Sequence, residues 1–220
     1  MTQDRFVYGD EEIQWLKAKD PMLGVVIDEI GHIERPVIGD LFTALVNSIV
    51  GQQISSKAMV TVWTRMQERH GPITPERICG TSAEDLQKCG MTMRKAGYIK
   101  EIADSVLNKK LDLAQLNEMS DDEVCERLIQ IRGIGKWTAE MLMIFSMQRP
   151  NIFSRDDLAI IRGLRMVYRH KTITPVLFAR YKKRYSPYAT VASLYLWAVA
   201  GGACPSLTDP ALNVTRKSKK

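Results

Sequence analysis

"IRGIGKWTAEMLMIFSMQRPNIFSRDD", residues 131 to 157, holds three features in sequence. Gly133 and Gly135 flank Ile134, an apolar run of helical length follows, and Asp156 and Asp157 close the segment. Taken singly, each part is ordinary. Glycines cap helix ends, Met141, Met143 and Met147 can fill a core, and Ser154, Asp156 or Asp157 can start a helix. Taken together they permit more. Two residues free to adopt positive φ can join two helices by a very short turn. The next helix then opens with outward amides, and its dipole favours an anion there. Missing Cβ atoms would let a sugar-phosphate chain come close, giving a grip that ignores base sequence.

Outward from this stretch the pattern is helical on both sides. Residues 40–53, "DLFTALVNSIVGQQ", put Leu41, Leu45, Val46 and Ile49 on one face. Residues 55–71 continue as a second helix that stops at Gly71–Pro72, and 94–110 carry Ile99, Ile102, Ala103, Val106 and Leu107 on one stripe. Residues 120–133 begin with a capping box, Ser120 and Glu123, and stop at Gly133. Four more helical runs follow, one opened by Thr174–Pro175 as N-cap and N1. No alternating run or tight hairpin turn argues for strands. The expected fold is all-α, about ten to twelve short helices, in two helical subdomains with a cleft between them. One spans 36–135 and ends in the hairpin; the other joins 1–35 to 136–220.

Composition sets the outer bounds. The 220 residues are 45% hydrophobic and 25% charged, an ordinary globular balance. The start, "MTQDRFVYGDEEIQ", lacks the basic-then-apolar order of a signal peptide, and the run near residue 195 is too short for a bilayer span. A soluble cytoplasmic, nucleoid-associated protein is expected, with a monomer as the simplest state. Cys79, Cys89, Cys125 and Cys204 form no C-x-x-C pair, so neither a disulfide framework nor a metal cluster is indicated. The net charge of +6 suits a polyanionic partner, although part of it lies in the tail "RKSKK", 216–220, read as disordered.

Four motifs in order then carry a resemblance: "SIVGQQISSKAM", "CGMTMRKAGYI", "LIQIRGIGKWTAEM" and "RDDLAIIRGL". From about residue 36 to 205 the chain resembles the helix-hairpin-helix, Gly/Pro-rich loop and aspartate superfamily of DNA base-excision glycosylases. The resemblance implies double-stranded DNA containing damaged bases as partner. It implies contacts from Gly133, Ile134, Gly135, Lys136 and Thr138 at the hairpin, and from Gln52, Gln53 and Ile54 at a loop that wedges into the duplex. In that family a carboxylate lies about twenty residues past the hairpin, and Asp157 stands at the matching place, leaving the capping role to Asp156 or Ser154. Breaking an N-glycosidic bond builds oxocarbenium-like charge on the sugar. A carboxylate can stabilise that charge or activate the attacking water.

The turn also indicates a branch. Bifunctional relatives carry a lysine nucleophile where this chain has Trp137, and the iron–sulfur cysteines of another branch are missing. "GIGKWTAEM" and "YLW" are most similar to the alkylation-repair branch, that of 3-methyladenine DNA glycosylase II. There Trp137, Trp197 and Met141 would line the pocket, whose aromatic faces suit a cationic alkylated purine. The resemblance implies monofunctional base removal with no cofactor and no catalytic metal, leaving room for a monovalent cation at the hairpin carbonyls. Departures include Gln53 at the wedge, where Ile54 could share the task, and Ala189 where relatives often carry arginine. A glycosylase for oxidised, deaminated or mismatched bases, and a non-enzymatic helix-hairpin-helix DNA-binding protein, are the competing readings.

Overall fold

Side-chain caps set most of the helix starts. Asp20, Asp40, Ser55, Thr74, Ser82, Thr92, Ser120, Asp157 and Thr174 each accept a hydrogen bond from an amide of the helix that follows. The Ser120–Glu123 box and the Thr174–Pro175 pair form as expected. Gly31 and Gly71, at φ +75° and +69°, end two helices in conformations that suit glycine.

The computed structural model describes residues 4–211, so the expected disordered tail at 216–220 lies outside the described residues. In chain order the helices are α1 (Asp10–Lys19), α2 (Pro21–Ile30), α3 (Leu41–Gly51), α4 (Ser56–His70), α5 (Pro75–Gly80), α6 (Ala83–Gln87) and α7 (Met93–Leu107). A 3-10 turn (Gln115–Glu118) leads to α8 (Asp121–Ile129), α9 (Lys136–Phe145), α10 (Leu158–Tyr168), α11 (Pro175–Tyr185) and α12 (Ala189–Ala200). Among the described residues the only extended pairing is an isolated bridge, Arg5 with Pro36. The fold is all-α.

Two compact units result. One contains residue 4 and 37–147; the other contains 5–36 and 148–211. The boundary expected at residue 135 therefore falls at 147. The reason is packing: α9 lies against α8 and α3, and Ile38 N–H donates to the Phe145 carbonyl at 2.9 Å, so α9 stays with the hairpin. The first unit is centred on Leu45, Ile49, Ile99, Val124, Leu128 and Ile144, all inaccessible to solvent.

The second unit is built on α10 and α12, with α2, α1 and α11 around them. Contact between α10 and α12 is close enough that a Cβ on Gly163 would collide with the Leu196 carbonyl. Of the cysteines, Cys89 and Cys204 are buried and Cys79 and Cys125 half-buried, all as free thiols. Among the described residues no helix is long and apolar enough to cross a membrane.

Candidate active site

In the first unit the hairpin is a tight turn, not a helix running into a glycine. α8 ends at Ile129, four residues before the expected stop at Gly133, and Ile134 N–H closes the turn onto the Ile131 carbonyl at 3.0 Å. Ile134 itself is buried, anchoring the turn. The two glycines do different things. Gly133 takes φ +91°, and a Cβ there would stand 2.6 Å from the Tyr98 ring, so both its angle and its neighbour demand glycine. Gly135 does not take positive φ, contrary to expectation: it is extended, at φ −87° and ψ 169°, as the N-cap of α9. A Cβ on it would meet nothing within 4 Å. Nothing inside the protein asks for glycine at 135, and the space beside it is open.

Gly135 gives α9 no side-chain cap, and its first turn holds no acid. Its opening amides and dipole are thus set for an anion. Lys136 is exposed and Thr138 half-buried at that end. Trp137 is 47% exposed. Met141, one helical turn on, is half-buried on the same side of α9.

The loop after α3 lies against this turn. Gln52 Nε2 donates to the Gly133 carbonyl at 2.8 Å. Gln53 adopts φ +55°, a left-handed angle uncommon for residues other than glycine. Gln53 is exposed and Ile54 is 38% exposed, so both expected wedge candidates present side chains to the surface. A monovalent cation at the turn would rely on backbone carbonyls, oxygen ligands of a suitable hardness. Among the described residues no cluster of three His, Cys, Asp or Glu could hold a metal.

In the second unit Asp157 heads α10 and is 7% exposed. Its Oδ1 accepts from Ala159 N–H at 2.9 Å and from Ile160 N–H at 3.0 Å. The capping role expected of Asp156 or Ser154 thus falls to Asp157 itself, because the chain turns into the helix only at Leu158, later than either of them requires. Asp156 is exposed and Ser154 buried. One carboxylate oxygen is consequently held by helix amides, which fixes its χ angles and aims the group along the start of α10. Trp197 is half-buried on α12, the helix packed against α10.

Two features lay outside the expected set. Leu158, immediately after Asp157, is 83% exposed, an apolar side chain in the open beside the carboxylate. Lys95 reaches from α7 to the loop after α3; its one sequence signal is that it falls on the apolar stripe with Ile99 and Ile102.

Comparison with known proteins gives the family. Residues 46–187 match the family described as HhH-GPD superfamily base excision DNA repair protein. DNA-3-methyladenine glycosylase 1 of Schizosaccharomyces pombe is 34% identical over 161 residues, covering 71% of each chain. Among solved structures, a DNA-3-methyladenine glycosidase from Bacillus halodurans superposes with a TM-score of 0.83 at 32% identity, over 97% of this chain and 99% of that one. The S. pombe 3-methyladenine DNA glycosylase Mag1 in complex with abasic DNA gives 0.74 at 29%, over 87% and 97%. With the family match spanning more than half of its length, the chain belongs to the HhH-GPD superfamily of base excision DNA repair proteins.

Proposed function

We propose that this protein is a monofunctional DNA glycosylase that extrudes alkylated purines, such as 3-methyladenine and 7-methylguanine, from duplex DNA and hydrolyses their N-glycosidic bond. The observation that carries the reading is Asp157: a buried carboxylate whose Oδ1 is tied down by two helix amides. A carboxylate so fixed needs no reorganisation to meet positive charge developing on the deoxyribose, and that charge is greatest in the transition state. The same group can orient or deprotonate the attacking water. With Trp137 where a lysine nucleophile would stand, base removal proceeds without strand cleavage.

The hairpin residues Gly133 to Lys136 and Thr138 would hold a backbone phosphate, and Gln52, Gln53 and Ile54 would fill the space left by the extruded base. Trp137 and Met141 in one unit, and Trp197 in the other, are the side chains assigned to base recognition, where π faces and a polarizable thioether favour a cationic base over a neutral one. An alkylated purine is already a good leaving group, so discrimination can rest on charge and stacking rather than on a close hydrogen-bond fit. No cofactor enters the reaction; a monovalent cation on the hairpin carbonyls would serve binding alone. The protein would act as a monomer on DNA in the cytoplasm.

The test is base release from duplex DNA treated with a methylating agent. Wild type should release 3-methyladenine and 7-methylguanine, while Asp157→Asn should release neither and still bind the duplex. Near-wild-type turnover in that variant would remove Asp157 from the chemistry. No release by either protein would refute the alkylpurine reading.

A further inference from the structure

Helix α7 touches both of the loops assigned to DNA. Its N-terminal half carries Lys95, Tyr98 and Glu101, three residues apart and so on adjoining parts of one face. Lys95 Nζ donates to the Val50 carbonyl at 2.9 Å and to the Gln52 carbonyl at 2.6 Å. The first acceptor belongs to the last turn of α3; the second lies past its end, in the loop itself. Tyr98 lies directly against Gly133. Glu101 pairs with Arg132 at 3.1 Å, and the Arg132 guanidinium sits 5.3 Å from the Tyr98 ring centroid. The Gln52 side chain then joins the loop to the turn at the Gly133 carbonyl.

An amine in such a place is costly. Lys95 is half-buried, and burial, with the nearby charge of Arg94, pushes its pKa below the usual lysine value. A lysine used only for solubility would point to water, as one on a polar helix face does. This one is turned onto two carbonyls that have reached the end of a helix and lack further amides to accept from. An ammonium offers three donors on a flexible stem, which suits two acceptors that are not coplanar.

We infer that Lys95 is a positioning residue for base extrusion: it holds the backbone of the 52–54 loop, and through Gln52 locks that loop to the hairpin turn, so that Gln53 and Ile54 enter the duplex at a fixed offset from the gripped phosphate. The inference rests on the glycosylase reading above. Its physical content is preorganisation. Extrusion requires the wedge and the phosphate grip to act on the same nucleotide, and a loop free to shift relative to the turn would spend binding energy on finding that register. The left-handed backbone of Gln53 persists because the residue before it is held at its carbonyl by Lys95 and at its side chain by Gly133.

The experiment compares wild type with Lys95→Met, Lys95→Arg, Gln53→Ala and the Lys95→Met/Gln53→Ala double variant. It reads single-turnover release of 7-methylguanine at saturating enzyme, affinity for duplexes with and without an abasic site, and melting temperature. Lys95→Met should slow release by about 100-fold, the scale on which a misplacement of about 1 Å acts. It should weaken the abasic-site duplex while leaving undamaged duplex nearly untouched, and Lys95→Arg should recover most of the loss. Because Lys95 acts through the loop, its effect and that of Gln53→Ala should fall short of multiplying. Multiplying effects, or equal losses on both duplexes together with a lowered melting temperature, would overturn the inference and leave Lys95 as a helix cap. If Lys95→Met does not fold, Gln52→Met cuts the other tie, and the same shortfall with Gln53→Ala is expected. Wild type that releases neither 7-methylguanine nor 3-methyladenine refutes the alkylpurine reading, while the abasic-duplex comparison still decides the role of Lys95.

Discussion

A hydrogen in place of a methyl group is required by the fold at Gly133 and not at Gly135. Gly133→Ala must strain a backbone at φ +91° and push the Tyr98 ring aside. It should cost about 1–3 kcal/mol and loosen DNA binding with it. Gly135→Ala meets ordinary angles and open space, so its cost should be limited to the N-cap preference for glycine over alanine, no more than about 1 kcal/mol. Yet its methyl group stands where a phosphate would approach, and affinity for an abasic-site duplex, read by fluorescence anisotropy, should drop. A Gly135→Ala protein that binds as tightly as wild type would move the phosphate away from the turn. From sequence the two glycines look equivalent, because G-x-G fixes spacing and says nothing of which residue takes the left-handed angle. "SRDD" is ambiguous for a similar reason. Three good N-cap residues lie within four positions, and only the register of α10 in its packed place selects Asp157.

Element α10 shows how the side chain proposed for catalysis is held from a distance. Its last residue, Tyr168, donates to the buried Asp20 carboxylate at 2.7 Å, which also accepts from Arg184 at 2.7 Å. Midway, Arg165 makes a two-pronged pair with Asp209, Nε to Oδ1 at 2.9 Å and Nη2 to Oδ2, fixing the segment after α12 onto the helix. The Arg165 hydrogen bonds hold the Asp209 carboxyl below the usual aspartate value. The sign follows: a lowered folded-state pKa gives stability that is complete above about pH 4 and is lost as pH falls through the lowered value. Asp209→Asn should therefore cost about 1–3 kcal/mol at pH 7, with the gap to wild type in urea melts constant down to about pH 5 and narrowing as the pH falls below about 4. A gap that does not narrow at all below about pH 4 would assign the loss to packing, not to the ion pair. Helix starts such as Ser120 and Thr174 are legible in the sequence because capping is local. Ties such as Arg165–Asp209, or Lys95 onto Gln52, join residues 44 and 43 positions apart and leave no local mark. The place of α9 escapes a sequence reading for the same reason, since its partner faces on α3 and α8 appear only once the chain is folded.

At the scale of the molecule the charge is not spread evenly. The unit that carries the hairpin, residue 4 with 37–147, has 13 Lys and Arg against 15 Asp and Glu, net −2. The described part of the other unit, 5–36 and 148–211, has 14 against 10, net +4, and residues 212–220 add four more cations. Residues 158–208 contain eight Lys and Arg and no acid. Three of the eight face two carboxylates: Arg165 and Arg162 share Asp209, and Arg184 faces Asp20. Lys182 and Lys183 stand exposed on α11, away from its buried face of Phe178, Tyr181 and Tyr185. On the proposed reading the hairpin would grip phosphate with backbone amides inside a unit whose net charge repels it, and long-range attraction would come from the other unit and residues 212–220. Reversing Lys182 and Lys183 to Glu should weaken binding to undamaged duplex and flatten the dependence of log K on log salt, by about 0.9 for each phosphate no longer neutralised. Excision at saturating enzyme should stay at the wild-type rate, since neither residue belongs to the assigned site. An unchanged salt slope would mean that the hairpin amides and the tail carry the attraction, and that the excess on α11 serves solubility alone.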